Sequence, residues 1–244
     1  MKIVFHERYR EVYSADPAAT QGRLDRAYEV LKPEYEFLEP DYASEQDIRL
    51  LHTDAHIDRI KQKTQLFELS LLAAGGAIKA SELALAKEPA FGLIRPPGHH
   101  ASKNSSWGFC WFNNIAVAIE KLKKENKIDN ALIIDFDLHF GDGTNSMFKQ
   151  DERVTYYHMG NLPELEKTLA QQDSCDIIGI SAGFDRHLED WGGILATQDY
   201  QEIGKMIKEF SLNSCPGKIF AVLEGGYNHD MLGPNIKALL QGLE

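Results

Sequence analysis

Cysteine is scarce in this sequence. The chain of 244 residues contains three, Cys110, Cys175 and Cys215, which is an odd number without any CxxC spacing. Such a set indicates neither a disulfide framework nor a thiolate zinc site. We therefore expect the three cysteines to be small, buried, apolar side chains.

Long apolar runs and flexible linkers are also missing. The first eight residues, Met1-Lys-Ile-Val-Phe-His-Glu-Arg8, become charged too soon for the apolar core of a signal peptide, and no later run approaches a membrane span. We expect a cytoplasmic protein with no membrane partner. No stretch rich in Pro, Gly or Ser divides the chain, so we expect one domain over residues 1–244.

Basic residues are too few to balance the acidic ones. The chain has 26 Lys and Arg against 37 Asp and Glu, a net charge of −11. A nucleic-acid backbone would be repelled by this charge, so we expect no nucleic-acid partner. The charge is compatible with a cationic substrate, although solubility alone explains the excess of acid. The sequence carries no prediction of oligomeric state.

Short apolar runs alternate with longer helical patterns along the whole chain. The predicted strands cover residues 2–5, 35–38, 90–94, 131–134, 154–157, 176–181 and 218–223. The predicted helices cover residues 22–31, 66–87, 111–124, 145–149, 163–171, 197–210 and 230–240, with one more starting near Ser44. This alternation predicts an α/β fold with a mostly parallel sheet flanked by helices.

The strand at residues 131–134 leads into a group of polar residues. Side chains alternate along a strand, so Asp135, Asp137 and His139 share one face for as long as the chain stays extended. Same-face neighbours lie about 6.6 Å apart, which lets Asp137 and His139 converge on one ion while Asp135 supports them. The alternative is that these residues only cap the next helix. Ionisable groups at the edge of an apolar strand are costly unless they are paired or bound to metal.

Comparable polar groups follow three other predicted strands. They are His99 and His100 after residues 90–94, Asp185 after residues 176–181, and Glu224 to Asn228 after residues 218–223. In open α/β sheets, ligands bind beyond the carboxyl ends of the strands. Four loops at the same relative position therefore predict one shared site.

Five motifs in these loops resemble the zinc-dependent histone deacetylases and the related acetylpolyamine amidohydrolases across nearly the whole chain. The motifs are Arg95-Pro-Pro-Gly-His-His-Ala101, Gly108-Phe-Cys-Trp-Phe-Asn-Asn114, Asp135-Phe-Asp-Leu-His-Phe-Gly-Asp-Gly-Thr144, Ser181-Ala-Gly-Phe-Asp185 and Gly225-Gly-Tyr-Asn228. The resemblance implies an arginase/deacetylase-like α/β domain. It also implies a metal-dependent hydrolase that removes an acetyl or other acyl group from an amine, such as acetyllysine in a peptide or an acetylpolyamine.

The resemblance also implies a metal site formed by Asp137, His139 and Asp185. Three protein ligands with open coordination positions are typical of a catalytic site. Two-metal arginase-like sites carry Asp-x-Asp on the later loop, where this chain has Asp185-Arg-His187, so one ion is expected. The expected ion is Zn²⁺, and Fe²⁺ or Co²⁺ could replace it in a mixed carboxylate and imidazole site.

The remaining site residues follow from the same resemblance. It implies that His99 and His100 exchange protons with water and with the departing amine, supported by Asp135 and Asp142. Tyr227 would donate to the oxyanion, and Gly108 and Phe109 would line the substrate channel. Each has a structural alternative: a core histidine for His100, a packing aromatic for Phe109 and a strand-end hydrogen bond for Tyr227.

Two stretches depart from the family pattern. The region between Val154 and Asp185 is shorter than in relatives, which carry a glycine-rich loop and an aromatic channel wall there, so we predict a shallower, more open channel. Tyr156 and Tyr157 stand near the place where relatives bind a structural potassium ion, and that ion is in doubt here. His158 and His187 are rim candidates, with surface placement as the favoured interpretation.

The stretch from His52 to Asp58 is similar to the Asp-Ala-His-x-Asp motif of arginase-like enzymes. No predicted strand precedes it, and Ile57 and Ile60 continue a helical spacing. We therefore predict a solvated helix with surface histidines at positions 52 and 56. As a second functional hypothesis, the short region 154–185 is compatible with a catalytically weak relative that binds an acylated ligand or a partner protein.

Overall fold

A computed structural model describes all 244 residues and contains one seven-stranded sheet. The strands are β1 (Lys2–Val4), β2 (Glu36–Leu38), β3 (Ala90–Gly92), β4 (Ala131–Asp135), β5 (Val154–His158), β6 (Ile177–Ala182) and β7 (Ile219–Leu223). Their order across the sheet is β2-β1-β3-β7-β6-β4-β5, and every neighbouring pair is parallel. The prediction of an α/β fold with a mostly parallel sheet is confirmed.

Nine α-helices accompany the sheet. They are α1 (Asp25–Leu31), α2 (Glu45–Arg49), α3 (Asp54–Lys61), α4 (Thr64–Leu85), α5 (Asn114–Lys124), α6 (Asp142–Phe148), α7 (Leu162–Gln171), α8 (Thr197–Ser214) and α9 (His229–Leu243). None of them combines the length and the apolar character that crossing a lipid bilayer requires.

The central strands β4, β6 and β7 are buried along their whole length. A parallel sheet covered on both faces needs continuous apolar runs rather than alternating ones, which is the pattern these strands have. The apolar residues of strands and helices join in one cluster of 63 buried residues. Because the sheet and this core are continuous, we propose that residues 1–244 form one domain.

Two helices begin at places that the apolar pattern did not predict. The carbonyl oxygen of the Asn113 side chain accepts a hydrogen bond from the Ala116 amide, so α5 begins at Asn114 and not at Trp111. Helix α6 begins at Asp142, three residues earlier than predicted, with its acidic residue in the first turn. A negative charge there is favourable to the helix dipole.

The extended chain of β4 ends at Asp135, which limits the alternation argument made from the sequence. Beyond that residue, the Asp137 amide donates to Asp135 Oδ1 at 3.0 Å and the His139 amide donates to Asp137 Oδ1 at 2.9 Å. Aspartate side chains that accept from the amide two residues ahead stabilise turns. A turn, rather than one face of a strand, therefore sets the positions of Asp137 and His139.

The three cysteines are all free and buried, as expected from their number and spacing. Helix α4 packs closely at the Gly75-Gly76 pair, because a Cβ atom at Gly75 would lie 1.9 Å from the carbonyl oxygen of Asp41. The glycines lie inside the unbroken helix α4 and permit this contact with the chain before α2.

The prediction of surface histidines at positions 52 and 56 is wrong, although the predicted helix is present as α3. His52 is 3% exposed and His56 is fully buried. The two rings stack at 5.1 Å and contact Phe112, and His52 Nε2 accepts a hydrogen bond from the Asn113 amide at 3.0 Å. The loop before α5 buries these histidines. The spacing of apolar residues around α3 could not predict this burial, because the covering loop lies elsewhere in the sequence.

Burial makes His52 an acid-sensitive part of the fold. Burial, followed by the nearby charge of His56, lowers the pKa of His52 to about 3. The folded protein thus binds fewer protons than the unfolded chain below pH 6.5, so this contribution is complete above pH 6.5 and is lost as the pH falls toward 3. We expect a loss of about 1.4 kcal/mol in the free energy of unfolding for each pH unit below 6.5.

Urea unfolding of the wild type and His52→Gln between pH 7 and pH 5 tests this expectation. Glutamine keeps an acceptor for the Asn113 amide but does not titrate, so the variant should lose less stability than the wild type in this range. His6→Gln, remote from the cluster, serves as the control and should follow the wild type. Equal losses in wild type and His52→Gln would contradict the assignment.

Candidate active site

The loops after β3, β4, β6 and β7 meet at the carboxyl edge of the sheet, where these four strands are neighbours. They enclose a cavity of about 120 Å³. The cavity is lined by Pro97, His99, His100, Trp107, Gly108, Phe109, Asp137, His139, Trp191, Gly225 and Tyr227. The structure therefore brings the four predicted loops together.

Two carboxylates and one imidazole cluster at the floor of this cavity, where Asp137 and His139 line it and Asp185 lies behind them. His139 Nδ1 lies 3.3 Å from Asp137 Oδ1 and 3.1 Å from Asp185 Oδ2. One potential ligand atom from each of these three residues lies within 4.8 Å of the other two. Asp137 and Asp185 are buried, whereas the side chain of His139 is 40% exposed. The imidazole is therefore the most exposed group of the cluster.

The backbone holds both carboxylates in place. The Leu138 amide donates to Asp185 Oδ1 at 3.0 Å, and the Gly225 amide donates to Asp137 Oδ2 at 2.8 Å. A Cβ atom at Gly225 would lie 2.6 Å from Asp137 Oδ2, and one at Gly183 would lie 2.1 Å from the same atom. Glycine at these two positions lets the chain approach the carboxylates closely.

The charges of this cluster fit a bound cation. Burial and the neighbouring charge of Asp137 raise the pKa of Asp185 to about 6. Burial also opposes ionisation of Asp137, but the charge of His99 and hydrogen bonds from His139 outweigh it and lower the pKa of Asp137. Hydrogen bonds to the two carboxylates raise the pKa of His139 to about 10. Two buried carboxylates this close require positive charge, and one imidazole and two carboxylates form a donor set for Zn²⁺ or a similar divalent ion.

The tandem histidines stand beside this cluster, each backed by a carboxylate. His99 Nδ1 lies 3.1 Å from Asp135 Oδ2, and His100 Nδ1 lies 2.7 Å from Asp142 Oδ1. Burial lowers the pKa of His99, but the charges of Asp137 and Asp135 outweigh it and raise that pKa well above its ordinary value. Burial and the charge of His99 lower the pKa of His100 to about 4. The pair therefore combines one ring that retains a proton with one that is free to accept a proton.

Tyr227 reaches the cavity from the loop after β7, and several groups fix that loop. Asp190 Oδ2 accepts hydrogen bonds from the amides of Tyr227 and Asn228, both at 2.7 Å. The Arg23 guanidinium donates to the carbonyl oxygens of Gly226 at 2.9 Å and Glu224 at 2.6 Å. Burial raises the pKa of Tyr227, so its hydroxyl remains a hydrogen-bond donor at neutral pH.

Gly108 and Phe109 form one side of the cavity with positive φ angles of 58° and 69°. A Cβ atom at Gly108 would lie 2.5 Å from His100 Cδ2, so glycine is required there. The Phe109 ring meets the rings of Tyr227 and Trp191 edge to face at 5.9 and 6.4 Å. All ten residues predicted from the sequence therefore lie in or directly behind one cavity, and their roles stay predictions.

Two tryptophans of the site were missed in the sequence. The Trp107 ring lies 3.9 Å from the His100 ring, and its Nε1–H donates to Asp142 at 2.9 Å. Trp191 stacks on Tyr227 at 4.0 Å and meets the edge of His139 at 6.2 Å. The prediction of a more open channel did not anticipate Trp191, which brings an aromatic side chain to the cavity from the loop after β6. The sequence offered one signal for each tryptophan: Trp107 directly precedes Gly108, and Trp191 follows Asp185 by six residues.

The remaining histidine predictions have a mixed outcome. Surface placement is wrong for His187, which is 3% exposed because its ring packs beside Tyr200. His158 is half-buried and contacts the Arg186 guanidinium at 3.1 Å. The Tyr156 hydroxyl donates to Asp135 Oδ2 at 2.9 Å. The structural potassium ion near Tyr156 and Tyr157 stays a prediction.

The fold defines a histone-deacetylase-like class of α/β protein. A crystal structure of the HDA15 HD domain superimposes with a TM-score of 0.84 over 99% of this chain and 88% of that one, at 23% sequence identity. A family model described as "Histone deacetylase domain" matches residues 18–164 and 162–243. The chain therefore belongs to the histone deacetylase domain family, whose members hydrolyse acetylated amides.

Named relatives agree with this membership. A probable deacetylase of Archaeoglobus fulgidus is 30% identical over 93% of this chain and 81% of its own length. A probable deacetylase of Methanothermobacter thermautotrophicus is 30% identical over 85% of this chain and 79% of its own. The polyamine deacetylase HDAC10 of Danio rerio is 26% identical over 96% of this chain, which corresponds to 46% of that protein.

Proposed function

We propose that this protein is a metal-dependent hydrolase that removes an acetyl or other acyl group from an amine, such as acetyllysine or an acetylpolyamine. One observation carries the proposal: potential ligand atoms of Asp137, His139 and Asp185 lie within 4.8 Å of one another at the floor of a cavity. The tandem histidines and Tyr227 line the same cavity. Removal of an acyl group agrees with the names of the relatives, which include two probable deacetylases and one polyamine deacetylase.

Asp137, His139 and Asp185 would hold Zn²⁺, with Fe²⁺ or Co²⁺ as alternatives. A divalent cation bound there supplies Lewis acidity, which polarises an acyl carbonyl and makes water more acidic. Backbone donors keep both carboxylates fixed, because the Leu138 amide donates to Asp185 and the amides of Gly225 and His139 donate to Asp137.

His100 is the group proposed to move the proton. Its Nδ1 is bonded to Asp142, which leaves Nε2 free to accept a proton from the attacking water. The same ring would then transfer that proton to the departing amine, so that the amide and the water together give a carboxylic acid and a free amine. The ring of His99 lies 4.0 Å away and is bonded through Nδ1 to Asp135, which would support it as the second group for proton exchange.

Tyr227 is proposed to donate to the oxyanion that forms at the acyl carbon. Its protonated hydroxyl belongs to a ring packed between Trp191 and Phe109, so the donor is held in place before substrate binds. A preorganised donor costs no reorientation during the reaction. Phe109, together with Gly108, would line the path of the acylated side chain.

Acetate release from an acetyllysine peptide and from an acetylated polyamine tests this proposal. We expect purified protein to hold about one divalent ion per chain, and turnover to disappear after chelation and return when Zn²⁺, Fe²⁺ or Co²⁺ is added. Metal analysis beside the activity assay shows whether turnover follows the ion, and the return of turnover on re-addition shows that the fold survived chelation. Turnover that survives complete removal of the ion would overturn the metal-dependent mechanism.

A further inference from the structure

The loops that form the candidate site also carry most of the large apolar side chains that the protein exposes. Eight such side chains are exposed in the whole chain, and five of them lie in loops that follow β3, β4 and β6. We call these five the apolar collar: Trp107, Phe140, Leu188, Trp191 and Ile194. Each is between 48% and 57% exposed. Exposed apolar side chains gathered in one region mark binding surfaces.

Two members of the collar belong to the wall of the cavity. Trp107 and Trp191 line the cavity itself, where they contact His100 and Tyr227. Phe140 follows His139 directly in the chain. Whatever carries the scissile amide into the cavity must therefore lie against Trp107 and Trp191 of the collar.

The part of the collar after β6 belongs to an ordered loop. The Leu188 amide donates to the Leu195 carbonyl at 2.8 Å, and the Ile194 amide donates to the Arg186 carbonyl at 2.9 Å. The Arg186 side chain is buried and donates to the carbonyl oxygens of Asp137 and Met159. Because both ends of the loop are tied down, the exposure of its apolar tip does not arise from a loose segment.

The carboxylates near the cavity mouth are largely occupied by donors of the chain. Asp142 accepts from Trp107 and bonds to His100, and Asp190 accepts from the amides at Trp191 and Tyr227. An ammonium group held there would find few carboxylate oxygens that do not already accept a hydrogen bond from the chain. Exposed Glu189, which makes no ion pair, is the carboxylate still open to such a group.

Resting on the proposed function, we propose that the apolar collar docks the peptide segment around an acylated lysine, and that this segment is apolar. The cavity is small, about 120 Å³, so the segment that carries the acylated side chain would stay outside it. Apolar residues next to the acyllysine would move out of water into contact with Leu188, Trp191 and Ile194. This transfer of apolar surface favours binding. A free acylpolyamine brings additional ammonium groups to this surface and no apolar residue.

The test compares three substrates: an acetyllysine peptide flanked by leucine, the same peptide flanked by serine, and an acetylated polyamine. We expect the wild type to favour the leucine-flanked peptide over the serine-flanked peptide by about tenfold in kcat/KM, with the polyamine below both. Leu188→Ser should raise KM for the leucine-flanked peptide by about five- to tenfold and change kcat little, because the change removes ground-state binding.

Leu212→Ser is the matched control. Leu212 is 56% exposed in α8 and Leu188 is 57% exposed in the collar, so the two changes remove similar apolar surface at different places. The control should keep the kinetic constants of the wild type. Ile194→Ser repeats the collar test if Leu188→Ser lowers the melting temperature.

Equal kcat/KM for the two peptides, a preference for the polyamine, or equal KM in wild type and both collar variants would overturn the proposal. Fluorescence anisotropy of the two labelled peptides provides a readout that does not require turnover. If no substrate is hydrolysed, the proposed function fails, and the anisotropy still decides whether the collar selects the apolar peptide. Equal binding of the two peptides by wild type would overturn the collar proposal in that case as well.

Discussion

Asparagine in place of Asp185 is expected to reduce turnover by about a thousandfold or more, because a bound divalent cation contributes several kcal/mol of transition-state stabilisation. The side chain keeps its shape, and its Oδ1 can still accept from the Leu138 amide. The charge is lost at a position where Oδ2 lies 3.1 Å from His139 Nδ1. Metal content per chain should fall together with the rate.

The measurement is metal content by mass spectrometry beside acetate release from an acetyllysine peptide. Asp173→Asn, at an exposed aspartate in the loop before β6, is the control and should retain both metal and rate. If Asp185→Asn kept its rate within tenfold of the wild type, Asp185 would not be a ligand of the catalytic ion.

The same variant should have an opposite effect on the stability of the metal-free protein. Burial and the charge of Asp137 raise the pKa of Asp185 to about 6, above the 3.8 of an ordinary aspartate. The folded state thus holds this proton more tightly, so the contribution favours folding at low pH and is lost as the pH rises through about 6. At pH 7 without metal, Asp185→Asn should therefore unfold at a higher urea concentration than the wild type.

Removal of the Tyr227 hydroxyl is expected to lower kcat by about a hundred- to a thousandfold, the usual cost of losing one oxyanion donor. Tyr227→Phe keeps the ring that stacks on Trp191 at 4.0 Å and meets Phe109 edge to face. The loop is held through its backbone amides by Asp190, so the change should leave KM and metal content close to those of the wild type.

Tyr227→Phe also discriminates between an enzyme and a protein that only binds acylated ligands. An enzyme loses turnover while it keeps its affinity for an acetyllysine peptide, whereas a binding protein changes little in either property. Tyr42→Phe, an exposed tyrosine that contacts Arg8, is the control. Unchanged kcat in Tyr227→Phe would remove the hydroxyl from the mechanism.

The sheet could be predicted because each strand can be recognised from its own stretch of sequence. β4, β6 and β7 are continuous apolar runs, and such runs between helical patterns leave few alternatives to a parallel sheet. The clustering of the four loops followed from the same pattern, since the carboxyl ends of parallel strands share one edge. The individual roles required the family resemblance, because spacing alone cannot distinguish a ligand from a helix cap.

The features that escaped prediction depend on contacts between distant segments. His52 is covered by the loop before α5, and Trp191 reaches Tyr227 from a loop 36 positions earlier in the chain. The turn after Asp135 replaces the extended strand through side-chain acceptors, which alternation of apolar residues does not report. In each case, the missing information is which segment packs against the residue.

Arg23 gives the segment before α1 an influence on chemistry at the opposite end of the sequence. Its guanidinium is buried and supplies donors to Glu224 and Gly226, two residues that precede Tyr227. A fragment that started after Arg23 would retain every proposed catalytic group, yet those two carbonyl oxygens would be left without a donor. Any substitution that loosens the packing of the first thirty residues should therefore misplace the phenol of Tyr227, about two hundred residues further along the chain.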